Sequence, residues 1–290
     1  MRFIAAPVMY FRARPEIGFL AAIGALALQS SAVVGAPQAN KIAWKSYEPE
    51  AKWVVDFDDQ RCFGYRRFRS DSETLVFGIS PWLMFEWAKI VIEKPGDLDG
   101  IVSLRGKVRV DDGNDHEVVM FAADSINQGK VIYTFNISGE AFDELKVGKR
   151  IRIQTRQLSA DISISNMTPV LGKLGECLPL LFEHWGFSRE KQATLASFPS
   201  HEKKLPLKSS DYPTSAIRRG AVGAVEVLLN IGTDGRPLDC RLVRSSGHKD
   251  LDDTTCERLM ARGKFKPGLD RSGNAVPSPF FFSVYWAFPN

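Results

Sequence analysis

The sequence predicts an α+β protein in two parts: a β-rich N-terminal domain with a closing helix, then a small C-terminal domain of two strands, a helix and a strand. Three observations carry this expectation. Between residues 40 and 190, short runs of β-branched and aromatic residues recur between Gly, Asp, Asn and Pro boundaries. A segment with apolar residues at three- and four-residue steps follows them. Beyond a polar stretch, alternating strands flank an Asp-Gly turn, and a helix and an aromatic strand complete the chain. A chain of 290 residues is long enough for two modest cores.

The N-terminus reads as an address rather than as fold. Arg2, Arg12 and Arg14 precede the apolar run from Ile17 to Leu28, and small and polar residues follow. This order describes an export signal over residues 1–39, with cleavage after Ala32 or Ala39. Pro37 disfavours cleavage after Ala36. Gln29 and Ser30 hold the strongest apolar run below the ~20 residues that span a bilayer. An uncleaved inner-membrane anchor stays open, because Ser31 to Ala36 extends the run. The expected location is the periplasm, inner-membrane anchored if the segment is retained.

The net charge of +4 comes from 38 basic and 34 acidic residues that are interspersed along the chain. No clustered basic stripe exists, so nucleic acid is not an expected partner.

In the region 40–190 the expected strands are Lys52–Asp58, Thr74–Ser80, Trp87–Glu93, Ile101–Val110, Lys130–Ser138 and Arg150–Thr155. The closing helix carries Leu171, Leu174, Leu178, Leu181 and Trp185 on one face, and Pro179 predicts a break near Leu178. Residues 191–210, polar and with Pro199 and Pro206, read as a linker to a C-terminal domain over 211–290.

That domain opens with a strand whose Val225, Val227, Leu229 and Ile231 share a face. The Asp234-Gly235 turn leads to a second strand with Leu238, Cys240 and Leu242 on one face. The stretch from Ser245 to Asp253 caps a helix on which Leu251, Thr255 and Leu259 align, beside Cys256 and Met260. The last strand places Phe280, Phe282, Val284, Trp286 and Phe288 on one face.

Export changes how the cysteines read. Cys62, Cys177, Cys240 and Cys256 form an even set for an oxidising compartment, and no CxxC motif points to zinc or redox chemistry. Three pairings exist; separately folding domains select Cys62–Cys177 and Cys240–Cys256. In the chain-entropy account these would contribute roughly 4–5 and roughly 3 kcal/mol.

The catalytic and metal readings are weak. Ser245 or Ser246 with His248 lies within one turn, too close in sequence for nucleophile–base geometry, and no GxSxG elbow is present. His116, His184, His201 and His248 are scattered, without HExxH. Asp111 to Asp115 suggests a calcium loop, but Ala122 stands where its closing Glu belongs. Neither an enzyme nor a cofactor is expected; a catalytic site would have to lie in the N-terminal region.

Residues 212–288 resemble the TonB C-terminal domain family. Tyr212-Pro213 and Ala216 match its opening, Gly223, Val225 and Val227 its first strand, and Asp234-Gly235-Arg236 its turn. Val243, Ser245-Ser246-Gly247, Leu251-Asp252 and the Phe265-x-Pro267 exit continue the pattern. The N-terminal half resembles no family. The resemblance implies a module that grips an outer-membrane transporter by accepting a short transporter peptide, the TonB box, as an added strand. The implied edge is Ser278 to Phe288, with Phe281, Ser283 and Tyr285 as the outward, partner-contacting set. A membrane-anchored energy transducer is the alternative, with inner-membrane motor proteins as further partners. The short apolar segment, and a β-rich region where that class has a Pro-rich span, favour the non-enzymatic periplasmic binder. Homodimerisation stays open.

Overall fold

The computed structural model describes residues 43–58, 60–82, 87–98, 100–125, 129–201 and 206–288; the expected export segment lies outside them. Ten strands come first: β1 (Lys45–Pro49), β2 (Val54–Phe57), β3 (Cys62–Arg69), β4 (Thr74–Pro81), β5 (Trp87–Pro95), β6 (Ile101–Val110), β7 (His116–Asp124), β8 (Lys130–Ser138), β9 (Arg150–Gln154) and β10 (Ser159–Ser163). Helix α1 (Glu140–Val147) separates β8 from β9, and α2 (Met167–His184) follows β10.

These strands do not form an open sheet. The order β1-β10-β9-β6-β7-β8-β5-β4-β3 returns on itself because β1 also pairs with β3, Glu48 opposite Arg69. The result is a closed, barrel-like sheet of nine strands, with β2 sharing the edge of β3 that β1 uses. Closure removes the exposed edges that an open sheet would leave. Alternation sets what lies inside: Leu75, Phe77 and Ile79 on β4, Ala88, Ile90 and Ile92 on β5, and Val131, Tyr133, Phe135 and Ile137 on β8 are all buried.

Both helices feed the same core. Phe142 and Leu145 from α1 join Val170, Leu174, Leu178 and Leu181 from α2. Gly64 on β3 makes room for α2: a Cβ there would stand 2.6 Å from Val170 Cγ1 and 3.2 Å from Leu174 Cδ1. The Cys62–Cys177 disulfide fastens helix to strand two residues away from that contact. The break expected near Leu178 does not occur, and α2 runs through Pro179. Burial of Leu174, Cys177, Leu178, Leu181 and Phe182 around the proline outweighs the hydrogen bond that its ring removes.

The segment expected as a linker is also more ordered than its composition suggests. After α3 (Arg189–Thr194) come two short strands, β11 (Leu195–Ser197) and β12 (Ser200–His201). They pair with strands near the C-terminus: β11 with β16 (Gly268–Asp270), and β12 with β15 (Phe265–Lys266). Leu195 is buried, so an apolar anchor and a backbone ladder hold a stretch that reads as polar.

The remaining elements are a 3-10 turn (Ser209–Asp211), α4 (Thr214–Arg218), β13 (Gly223–Ile231), β14 (Pro237–Arg244), α5 (Lys249–Arg262), β17 (Ala275–Val276) and β18 (Ser278–Trp286). β14, β13 and β18 form an antiparallel sheet in that order. One face of it packs on α5: Val225, Val227, Leu229, Phe282, Val284 and Trp286 share a core with Leu251 and Leu259. Gly235 explains the turn motif. Its φ of 80° suits glycine, and a Cβ would lie 2.1 Å from the Phe265 carbonyl oxygen. The Phe265 amide donates to the Gly235 carbonyl at 2.9 Å, so the turn docks on the segment that leaves α5.

Two cores are therefore separate, but a third cluster draws on both parts. Trp82, Phe182, Phe187 and Leu195 pack with Phe198, Val276 and Phe281.

Candidate functional site: the edge strand and the surface beneath it

β18 lies at one edge of its sheet, paired with β13 on one side and, among the described residues, with no strand on the other. Its inward residues are anchored firmly. Phe280 and Phe282 meet Phe265, and the Trp286 indole donates to Thr255 Oγ1 at 2.9 Å. Tyr212 lies edge-on to Trp286 at 5.0 Å, and its hydroxyl donates to the Ala221 carbonyl. Thus Tyr212 and Ala221, distant in sequence from β18, fix the end of the strand.

The outward residues do not point into solvent. Tyr285 stacks on Phe121 of β7 with ring centroids 4.0 Å apart and planes 8° from parallel, and its hydroxyl lies 3.4 Å from Thr134 Oγ1 on β8. Phe281 packs against Trp82 at 5.6 Å and receives the Lys89 ammonium over its ring at 5.3 Å. Ser283 lies between them, half-buried, opposite Glu226 of β13. The outward face of β18 is thus laid across the outer wall of the barrel at β5, β8 and β7.

Glu226 is the charged centre of this contact. It is buried, and it pairs with Lys89 of β5 and, at 2.7 Å, with Arg244 of β14. Burial alone would raise its carboxyl pKa; the two cations overcome that and hold it below the ordinary carboxylate range. The pair joins a barrel strand to the C-terminal sheet. Sequence reasoning passed over Glu226 although a signal was present, a lone acid inside the apolar run Val225 to Leu229. Trp82, Lys89, Phe121 and Thr134 carry no such signal, since outward residues of a barrel read as ordinary strand surface.

The segment from Ser245 to Asp252 is a structural knot. The Ser245 hydroxyl donates to Asp252 Oδ2 at 2.5 Å, while the Ser246 hydroxyl and amide donate to Asp252 Oδ1 at 2.7 and 2.9 Å. Both hydroxyls are spent on a carboxylate at the start of α5, which closes the turn before the helix. The second disulfide, Cys240–Cys256, ties β14 to α5. Asp211, just before Tyr212, is buried under Arg262 and Arg258. Burial pushes its carboxyl up, and the Arg262 guanidinium, the Lys208 amide and Arg258 bring it below the ordinary value.

The C-terminal unit is thus a mixed α and β module with an edge strand and a docked turn. Residues 208–288 match the family model described as the Gram-negative bacterial TonB protein C-terminal, a non-enzymatic, transport-associated domain, and the part before them is unrecognised. No curated protein and no solved structure matches the chain. Among the described residues, no helix is long and apolar enough to cross a membrane.

Proposed function

We propose that this chain is a non-enzymatic envelope protein whose C-terminal unit binds an extended, TonB-box-like peptide of an outer-membrane transporter by strand addition to β18. The observation that carries this reading is the position of β18 at the sheet edge, combined with the family match over 208–288. In strand addition the backbone supplies affinity and alternate side chains supply selectivity. Here both faces of β18 are engaged, inward by the core and outward by Trp82 and Phe121. The row of backbone groups along the edge is then the main binding element. Phe281 and Tyr285 act chiefly by pinning the strand flat, and Ser283 is the outward residue left to touch a partner. The barrel, in the same reading, is a rigid periplasmic support that presents the edge.

The test is a proline scan of a synthetic TonB-box peptide against the full chain, followed by titration calorimetry. Proline removes the amide donor, so binding is expected to vanish at alternate positions and persist at those between. Hydrogen exchange should show β18 amides becoming protected on peptide addition. Uniform tolerance of proline, or β18 amides equally protected with and without peptide, would overturn the reading.

A further inference from the structure

The barrel wall is not zipped along its whole height. β7 and β8 pair only over residues 121–124 and 131–134. Yet β7 pairs with β6 from His116 onward, and β8 pairs with β5 as far as Ser138. The ladder between them stops at the Phe121–Thr134 pair. Among the described residues, 116–120 and 135–138 have no strand partner on the sides where they face each other. Helix α1 holds the two strands apart. It contacts β8 and β6, and its Glu144 Oε2 lies 3.1 Å from Nε2 of His116 at the start of β7. The opening is apolar on its β7 side, where Val118 is half-buried against the barrel core and Val119 is 38 % exposed. Asn136 is exposed on the β8 side.

The base of this fork is where β18 crosses the wall. Tyr285 touches Phe121 and Thr134, the last pair of the ladder, while Phe281 meets Trp82 and Lys89. One row of the wall fixes which side of β18 overlooks the opening. Lys89 and Asn136 stand opposite each other on β5 and β8. Val119 extends that row to β7, two residues from Phe121 as Asn136 is two from Thr134. Lys89 pairs with Glu226 of β13, so the paired side of β18 covers it. Asn136 and Val119 fall on the side of the free edge, and their exposure agrees. We propose that a strand added to β18 lies over this fork and inserts an apolar side chain between Val119 and Asn136. Alternate residues of the added strand point towards the wall, and packed β layers stand about 10 Å apart. A large aliphatic or aromatic side chain bridges that gap down to Val118. The exposed Glu117 at the rim repels an acidic one. The partner is thereby narrowed to an extended peptide with an apolar residue facing the barrel. This inference rests on strand addition at β18 and makes the barrel the second wall of the site.

The test uses the full chain, disulfides intact, and a synthetic TonB-box peptide. Replacing Val119 by the photoreactive p-benzoylphenylalanine should give a cross-link to the peptide on illumination. The same replacement of Val54, exposed on β2 and away from β18, should give none. Val119→Arg alters an exposed side chain and should leave the fold intact, as near-UV circular dichroism checks. It should weaken binding about tenfold in calorimetry, while β18 amides still gain protection at saturating peptide. A peptide with aspartate at the cross-linked position should bind the wild-type chain more weakly than the parent peptide does, and should bind V119R more tightly than it binds wild type. Protection of β18 with no cross-link from residue 119, or V119R binding both peptides as the wild type does, would overturn this inference and leave strand addition standing. Absence of any peptide binding to the wild-type chain would overturn both.

Discussion

Tyr285 of β18 lies face to face with Phe121 of β7, centroids 4.0 Å apart, so the strand expected to meet a partner already rests on the protein's own barrel. An aromatic pair of this kind contributes about 0.5–1.5 kcal/mol beyond the area it buries. A double-mutant cycle over Phe121→Ala and Tyr285→Ala should therefore give a coupling of about 1 kcal/mol in urea unfolding. A coupling near zero would show that the two rings do not hold each other in solution. If Ser283 and the backbone carry recognition, Tyr285→Phe, which keeps the stack, should leave peptide affinity within about twofold of wild type.

The Lys89–Glu226 pair gives the same interface a defined pH dependence. The folded pKa of Glu226 lies below its ordinary value of 4.5. A depressed carboxyl contributes its stabilisation in full above the unfolded value and loses it as pH falls through the lower, folded value. Thermal stability should thus be insensitive to this group from pH 5 to 7 (roughly, given the spread of carboxyl values) and decline in more acid solution. Glu226→Gln should cost roughly 3 kcal/mol at neutral pH, because the half-buried Lys89 loses its counter-charge. The variant should also decline less steeply on acidification. An unchanged acid limb would locate the titration elsewhere.

How far the fold was legible follows from what each element needs in order to exist. β4, β5, β6 and β8 are readable because each is a run rich in β-branched and aromatic residues set between turn-forming residues. β3, whose Arg66-Arg67-Phe68-Arg69 dilutes the apolar run, and β7, which opens on His116-Glu117 and is apolar on both faces from Val118 to Ala123, offer a weaker pattern. Barrel closure depends on Glu48 reaching Arg69, a pairing of strands that no local pattern announces. The strand–strand–helix–strand order of the C-terminal unit was readable because its turn and cap motifs are local. Its docking on the barrel is not, since Trp82 and Lys89 by the β4–β5 connection and Phe121 on β7 lie about 160 residues or more from Phe281 and Tyr285. The strands at 195–201 were missed for a related reason: their partners lie near residues 265–270, beyond any sequence window.

Gly64 offers a direct test of how α2 seats on the barrel. Gly64→Ala would put a methyl group 2.6 Å from Val170 Cγ1, closer than packed atoms approach. Overpacking of this sort costs about 1–3 kcal/mol. Val170→Ala alone should also destabilise, by about 1–3 kcal/mol, because it leaves a void. The pair together should be less destabilised than the sum, as the new methyl occupies part of the space vacated. Strict additivity in chemical denaturation would mean that α2 moves as a body rather than meeting β3 at this point.

The two disulfides differ in what they constrain, and that difference is measurable. Cys62–Cys177 spans 115 residues and Cys240–Cys256 spans 16. In the chain-entropy account a bridge stabilises by restricting the unfolded chain, with a logarithmic dependence on loop length. Replacing Cys62 and Cys177 by alanine should then cost about 1.7 kcal/mol more than replacing Cys240 and Cys256. The shorter bridge has a second consequence, because it holds α5 over the edge strand β14 between the exposed Leu238 and Leu242. Its removal should speed hydrogen exchange along β14 and the first turns of α5 and leave barrel amides unchanged. The longer bridge should act in the opposite sense, loosening α2 against β3 while β14 stays protected. Equal effects of the two replacements on both sets of amides would indicate that the chain opens as one cooperative unit, with the third aromatic cluster around Trp82 and Phe281 as the coupling between its cores.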